Sequence, residues 1–229
     1  MSEQTWPEAE AGPDTLLVPL GSTEQHGPHL PLATDTLIAA HWCARAARRR
    51  TDLAVAPALP YGASGEHQGF PGTLSIGTEA LTAVLIELGR SALPPYRRLV
   101  LVNGHGGNAE ALGAAVALLR REGRAVEAVW PRLDGDAHAG RTETALLLAA
   151  LPHLVRGDRA EPGTTTPLTE LLPRLRAEGV AAVAPNGILG DPTGATADEG
   201  DALWVRLDDQ LDQVLDQALD RPHEGPSGR

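Results

Sequence analysis

The chain has 229 residues, 42% of them hydrophobic, and contains no apolar run approaching the roughly eighteen residues of a membrane span. A formal net charge of −11 argues against a nucleic-acid or anionic-membrane partner, since both attract basic surfaces. All nineteen basic residues are Arg, and the lack of Lys excludes Schiff-base chemistry and the Walker-type phosphate loop, which need a Lys amine.

In chain order, Met1–Pro13 reads as a flexible tail without the basic n-region or apolar h-region of a secretion signal, so the expected compartment is the cytoplasm. Leu16–Leu20 is a short apolar strand, and Thr34-Asp35-Thr36 opens a helix over LIAAHWCARAARRR. Leu53–Ala56 is a second strand. A long loop from Leu59 to Gly77 precedes a helix over Thr78–Leu93. Arg97–Val102 is a buried strand running into NGHGGN and a helix over EALGAAVALLRREG. Ala125–Trp130 is a strand, DGDAHAG a loop, and Thr142–Leu154 a helix. RGDRAEPGTTTPL (Arg156–Leu168) reads as a connecting loop, Asp198–Leu219 as the last helix, and 221–229 as a second flexible tail. The order predicts one α/β domain over 14–220, a mainly parallel sheet covered by helices on both faces, with functional loops beyond the strands' carboxyl ends.

Chemistry-bearing residues gather in those loops. GSTEQHGPHLPLATDT places Glu24 and His26 two positions apart just past the first strand, where residues i and i+2 of an extended segment share a side. They could bind adjacent ions, and the two oxygens of Asp35 could bridge them. Taken singly, each has a plainer reading: a solvated acid, a turn histidine, a helix N-cap. NGHGGN and DAHAGRTET then add His105, His138 and Glu143 at two further strand-to-helix turns. Glu24, His26, Asp35, His105 and Glu143 form a mixed nitrogen and oxygen set suited to zinc, manganese or iron(II), and five ligands suit two divalent ions per subunit.

Together GSTEQHGPHLPLATD, YGASGEHQGFPGT, NGHGGN and HAGRTET resemble the creatininase family of metal-dependent amidohydrolases, from about Leu16 to the GILGDPTGATADEG segment. The resemblance implies a creatininase-like α/β fold, hydrolysis of a C–N amide bond and homo-oligomers, typically hexamers. It also implies one metal on Glu24 and His105, a second on His26 and Glu143, and Asp35 bridging both. In creatininase the position two after the metal-binding His of NGHGGN is a Glu; here it is Gly107. The wording of the Tyr61–Gly77 loop together with DAHAGRTET is most similar to one branch of the family, and that resemblance implies a short modified peptide as substrate, cleaved near its C-terminus to release a Val-Tyr-derived fragment, with little action on creatinine.

Metal ions would acidify a water and polarise the carbonyl. For proton transfer to the leaving amine, His138 is the first candidate and Glu66 the second. Backbone N–H groups of Gly106 and Gly107 are candidates for the oxyanion, and Ser64 and His67 for substrate contact. The Tyr61–Gly77 loop, with Phe70, reads as a pocket wall.

Plainer readings fit the rest. Cys43, beside Trp42, is a core thiol; His29, His41, His153 and His223 are structural or exposed; and GASG (Gly62–Gly65) lacks the second Gly of a nucleophile elbow, having Glu66 there. Gly104–Ala109 also fits a dinucleotide fingerprint, but no acid ends the next strand. A creatinine- or formamide-type amidohydrolase and a metal-binding scaffold without catalysis are the alternatives that share the ligand set.

Overall fold

The computed structural model describes residues 1, 4–93 and 95–220, the last three by backbone alone. The tail expected over 221–229, with His223, lies outside the described residues. A short helix, α1 (Trp6–Glu10), falls within the segment expected as the N-terminal tail; a capping box joins Thr5 and Glu8, and none of its residues is buried.

Apolar runs build the sheet as expected. β1 (Thr15–Leu20), β2 (Leu53–Val55), β3 (Arg98–Asn103) and β4 (Val126–Val129) pair in parallel in the order β2-β1-β3-β4. All six residues of β1 and five of six in β3 are buried, as continuous hydrophobic strands of a two-sided parallel sheet require. Pro19 lies in central β1 without an N–H to donate; β2 has already ended at Val55, and the ladder resumes only at Leu59, whose N–H bonds the Pro19 carbonyl at 2.9 Å.

Alternate residues divide the core. Leu16, Val18, Leu20, Leu99 and Leu101 face α3 (Gly77–Ala92) and α4 (Ala109–Arg121). Leu17, Val100 and Val102 face the opposite layer of α2 (Thr34–Arg49), α5 (Arg141–Ala150) and α8 (Ala197–Asp220). Two fully buried indoles knit that layer: Trp42 Nε1 donates to the Leu207 carbonyl at 2.8 Å and Trp204 Nε1 to the Leu146 carbonyl at 3.0 Å. Cys43 is buried beside them, and burial pushes its thiol pKa up, as the core reading expects.

Three departures have local causes. The helix expected over Thr142–Leu154 stops at Ala150, because Pro152 disfavours helical backbone at Leu151, and a 3-10 turn follows over Pro152–Leu154. The connecting loop from Arg156 contains a 3-10 turn at Gly157–Arg159. Beyond it lie α6 (Leu168–Glu178) and α7 (Val180–Val183), which the pattern did not suggest: Pro173 lies inside α6 and Gly179, with φ 79°, breaks between them. Their apolar residues form a separate small cluster with Phe70.

From β1 the chain steps to β2 on one side and returns past β1 to β3. The carboxyl ends of β1 and β3 therefore flank a topological switch point, where open α/β sheets bind ligands. Among the described residues, no helix is long and apolar enough to cross a membrane.

Candidate metal centre

Two glycines let the loops converge on Asp35. A Cβ on Gly21 would stand 2.4 Å from the Thr36 backbone nitrogen, and one on Gly104 would stand 2.3 Å from the Asp35 carbonyl oxygen. The first turn of α2 thereby sits directly over the ends of β1 and β3. Asn108 ties the loops together: it accepts from the Ala63 N–H at 2.9 Å and donates to the Gly21 carbonyl and to Asn103 Oδ1, each at 3.0 Å. In the dinucleotide-like motif Gly104 is thus taken up by packing while Gly106 has open space around it, and a Cβ on the neighbouring Gly107 would meet the Ala63 carbonyl at 2.4 Å.

Glu24, His26, Asp35, His67, His105 and His138 are all buried, and the Glu143 side chain is 21% exposed. His26 Nε2 lies 3.1 Å from Asp35 Oδ1 and 3.8 Å from Glu143 Oε2. His105 Nδ1 lies 3.3 Å from Glu24 Oε1 and 3.4 Å from Asp35 Oδ2. Ser22 Oγ donates to Asp35 Oδ2, and the Ala139 N–H donates to Glu143 Oε2 at 2.7 Å. Ala139 holds that bond at φ 52°, a left-handed conformation uncommon outside glycine. Potential ligand atoms converge within 4.8 Å in three sets: Glu24, Asp35 and His105; His26, Asp35 and Glu143; Glu24, His26 and His138. Asp35 belongs to the first two, so the N-cap reading fails: its side chain turns inward and does not cap α2.

Histidine hydrogen bonds match what metal ligation asks. His26 Nδ1 donates to the Glu24 carbonyl at 3.2 Å, His105 Nε2 to the Ala63 carbonyl at 3.1 Å and His138 Nε2 to the Gln25 carbonyl at 2.8 Å. In each ring the other nitrogen faces the carboxylates, the arrangement by which backbone carbonyls orient ligating imidazoles. Both oxygens of Glu24 are buried and lack any hydrogen-bond partner. An ionised carboxylate so placed is costly unless a cation completes it, and the donor set therefore fits a divalent metal.

Charge in the metal-free chain follows from the same contacts. Burial opposes a charge on His26, but Asp35, then Glu143 and Glu24, overcome it and raise its pKa to about 10. His105 is likewise raised against its burial by Asp35 and Glu24, while burial of Asp35 is outweighed by these two rings, which hold its pKa well down. Burial lifts Glu143 to about 7 and raises Glu66. Burial, then the neighbouring positive His26, pushes His138 well down; burial also brings His67 to about 4, so both rings are neutral. Protons on His26 and His105 occupy the nitrogens that a cation would take.

The other expected residues fall around this core. His138 stacks against His26 and His67, with ring centroids 4.3 and 4.4 Å away. Glu66 stands at the rim, one-third exposed, with Oε1 3.6 Å from His105 Nε2 and only 2.5 Å from where a Gly107 Cβ would be. Its carboxylate thus fills the space beside the absent side chain. Ser64 is fully buried with its hydroxyl 3.4 Å from His105 Nε2, and Gly106 lies exposed in a 3-10 turn that precedes α4. Of the histidines expected to be structural or exposed, His29 is buried with Nε2 2.9 Å from Thr144 Oγ1, His41 packs on Trp204, and His153 is exposed. Gln25 was not anticipated. Strand alternation would turn it away from Glu24 and His26, yet its amide lies between His67 and His138.

The Tyr61–Gly77 loop does wall a cavity of about 390 Å³, lined by Gly65, Glu66, Gln68, Ile76 and Gly107 among others. Phe70 is absent from that wall and packs beneath α6 and α7 instead. A second cavity of about 350 Å³ opens beside His105 and Glu143, with Trp130, Leu133 and Leu146 among its apolar walls.

Residues 2–215 match the creatininase family model, described as creatinine amidohydrolase. The chain is 56% identical over 200 residues to the mycofactocin precursor peptide peptidase of Mycolicibacterium smegmatis, covering 84% of this chain and 80% of that one. Identity to the creatinine amidohydrolase of Pseudomonas putida is 33% over 210 residues, covering 76% and 80%. A solved creatininase with Mn superposes with a TM-score of 0.80 at 28% identity, covering 96% of this chain and 98% of that one. A creatininase variant of Zn-Zn type superposes at 0.79 with the same identity and coverage. The chain belongs to the creatininase family and is a hydrolase of amide bonds.

Proposed function

We propose that this chain is a dinuclear metallopeptidase that cleaves an amide near the C-terminus of a short, modified mycofactocin precursor peptide. The observation that carries the metal part is Asp35, whose two oxygens face two different histidines, so that one carboxylate is common to two candidate ligand sets. Glu24 and His105 would hold one divalent cation, His26 and Glu143 the other, with Asp35 shared; zinc, manganese or iron(II) suits these donors. When bound, the cations supply a Lewis acid for the scissile carbonyl and lower the pKa of water.

The chain's own groups do the rest. His138, neutral and with Nδ1 free of a hydrogen bond, takes the proton of the attacking water and returns it to the leaving amine. Glu66, its carboxyl pKa raised by burial and its side chain on a cavity wall, is the alternative carrier. Backbone N–H groups of Gly106 and Gly107 and the ring of His67 are assigned to the substrate carbonyl, and Ser64, with its hydroxyl 3.4 Å from His105 Nε2, to the support of that ring.

A peptide is favoured over creatinine by the identities of 56% and 33%, and by two cavities, one walled by Glu66 and Gly107 and the other by His105 and Glu143, which offer room for more than a small molecule. The protein is proposed to work in the cytoplasm as a homo-oligomer, a hexamer by family resemblance. Mass spectrometry of metal-loaded protein incubated separately with the modified peptide and with creatinine tests the reading. Peptide cleavage with creatinine untouched is expected; creatine formation with intact peptide would overturn it.

A further inference from the structure

Gln25 lies between two catalytic-site histidines, and backbone groups with unambiguous roles fix which way its amide points. The Gly27 N–H donates to Oε1 at 2.9 Å, and Nε2 donates to the Gly187 carbonyl at 3.0 Å. Only an oxygen can accept the first bond and only an NH2 can make the second, so the amide cannot be reversed. Gly187 makes this closure possible: its φ is 79°, and a Cβ there would fall 1.8 Å from Gln25 Oε1.

One N–H of Gln25 then remains for two rings in reach, His67 Nδ1 at 2.9 Å and His138 Nε2 at 3.0 Å. The competition is settled by the main chain of the same residue. His138 Nε2 lies 2.8 Å from the Gln25 carbonyl, which only accepts, so that nitrogen carries the ring's proton and has no lone pair to offer the amide. The spare N–H therefore goes to His67 Nδ1, which must be bare. The proton of neutral His67 is left on Nε2, 3.3 Å from Glu24 Oε1, while the bare Nδ1 of His138 lies 3.6 Å from the same oxygen.

We propose that Gln25 is a positioning residue whose side chain and main chain hold His67 and His138 in complementary roles, so that His67 presents an N–H and His138 a lone pair to the same point of the cluster. His67 is then a hydrogen-bond donor to the substrate and not a metal ligand. It is the one ring among the four whose outer nitrogen meets a donor where the others meet a carbonyl. The catalytic consequence rests on the function proposed above; the protonation pattern does not.

The test is long-range nitrogen NMR of histidine-labelled, zinc-loaded protein, with His67 signals assigned by their loss in His67→Gln. Wild type is expected to show His67 protonated at Nε2 and bare at Nδ1. Gln25→Met keeps the bulk and removes the donor, so His67 should populate both tautomers while His138, held by a main-chain carbonyl, keeps its own. Gln25→Glu replaces the donor by an acceptor and should move the His67 proton to Nδ1. In Gln25→Met, kcat should fall about 10- to 100-fold, the usual cost of an outer partner, with KM changed far less. A wild-type spectrum with His67 protonated at Nδ1 overturns the proposal even if no variant folds. So does a Gln25→Met protein with unaltered His67 tautomer and kcat. If the tautomers are as expected and the peptide is not cleaved, the functional reading fails and the proposal stands.

Discussion

Oδ1 of Asp35 lies 3.1 Å from Nε2 of His26, and both side chains are at most 2% exposed. Two ionisable groups so deeply buried are tolerable only as a pair, or around a cation that replaces the proton between them. Because the other Asp35 oxygen faces His105, removing this one carboxylate affects both proposed ions. Asp35→Ala should bind neither cation tightly, whereas His26→Ala and His105→Ala should each weaken chiefly one. Elemental analysis of the purified variants decides; two ions per subunit and full activity in Asp35→Ala would show that it is no bridge.

Metal loading should release protons. A cation at His26 needs the nitrogen that the metal-free chain keeps protonated up to about pH 10, and one at Glu143 needs a carboxyl that titrates near 7. Both groups bind protons more tightly in the metal-free state, so affinity should rise with pH, most steeply below about pH 7, where Glu143 also carries a proton. Calorimetry in buffers of different ionisation enthalpy measures the release. A heat independent of buffer, with an affinity flat from about pH 6 to 8, would contradict this electrostatic picture.

His138→Ala should keep its metal yet lose about 10²- to 10⁴-fold in turnover, the range for a lost general acid or base. Unchanged turnover with full metal content would move proton transfer to Glu66 or to solvent.

How much of this was legible in the chain itself depends on the distance over which each contact acts. The buried strands could be read because their apolar runs are continuous, Glu24, His26 and His105 because they sit in loops just past strand ends, and Asp35 and Glu143 because they open the helices that follow such loops. The end of α5 was misplaced by passing over Pro152, and α6 and α7 were missed because Pro173 and Gly179 disguise their period. The role of Gln25 was out of reach, since it depends on His67, His138 and a Gly187 carbonyl 162 positions away. Nor does any local pattern reveal that Glu66 occupies the space beside Gly107.

That space gives a paired prediction. A Cβ on Gly107 would press on the Ala63 carbonyl and His105 Nε2 at 2.4 Å, and the backbone carbonyl cannot swing aside. Gly107→Ala should therefore displace His105, weaken metal binding and lower kcat/KM by more than about tenfold, a shift of roughly 1.4 kcal/mol. Gly113, in the middle of α4, has nothing within 4 Å of its Cβ position, and Gly113→Ala should stabilise the fold by about 0.5–1 kcal/mol through helix propensity. Thermal unfolding and metal analysis of both variants check the contrast; a Gly107→Ala protein with native metal content and rate would refute the packing argument.

The most direct test of the dinuclear peptidase is to titrate metal-free protein with zinc while following cleavage of the modified peptide by mass spectrometry. Cleavage should be absent without metal, rise to its maximum at two equivalents per subunit, and vanish again with chelator. Full cleavage by metal-free protein, or a plateau at one equivalent, would contradict the account.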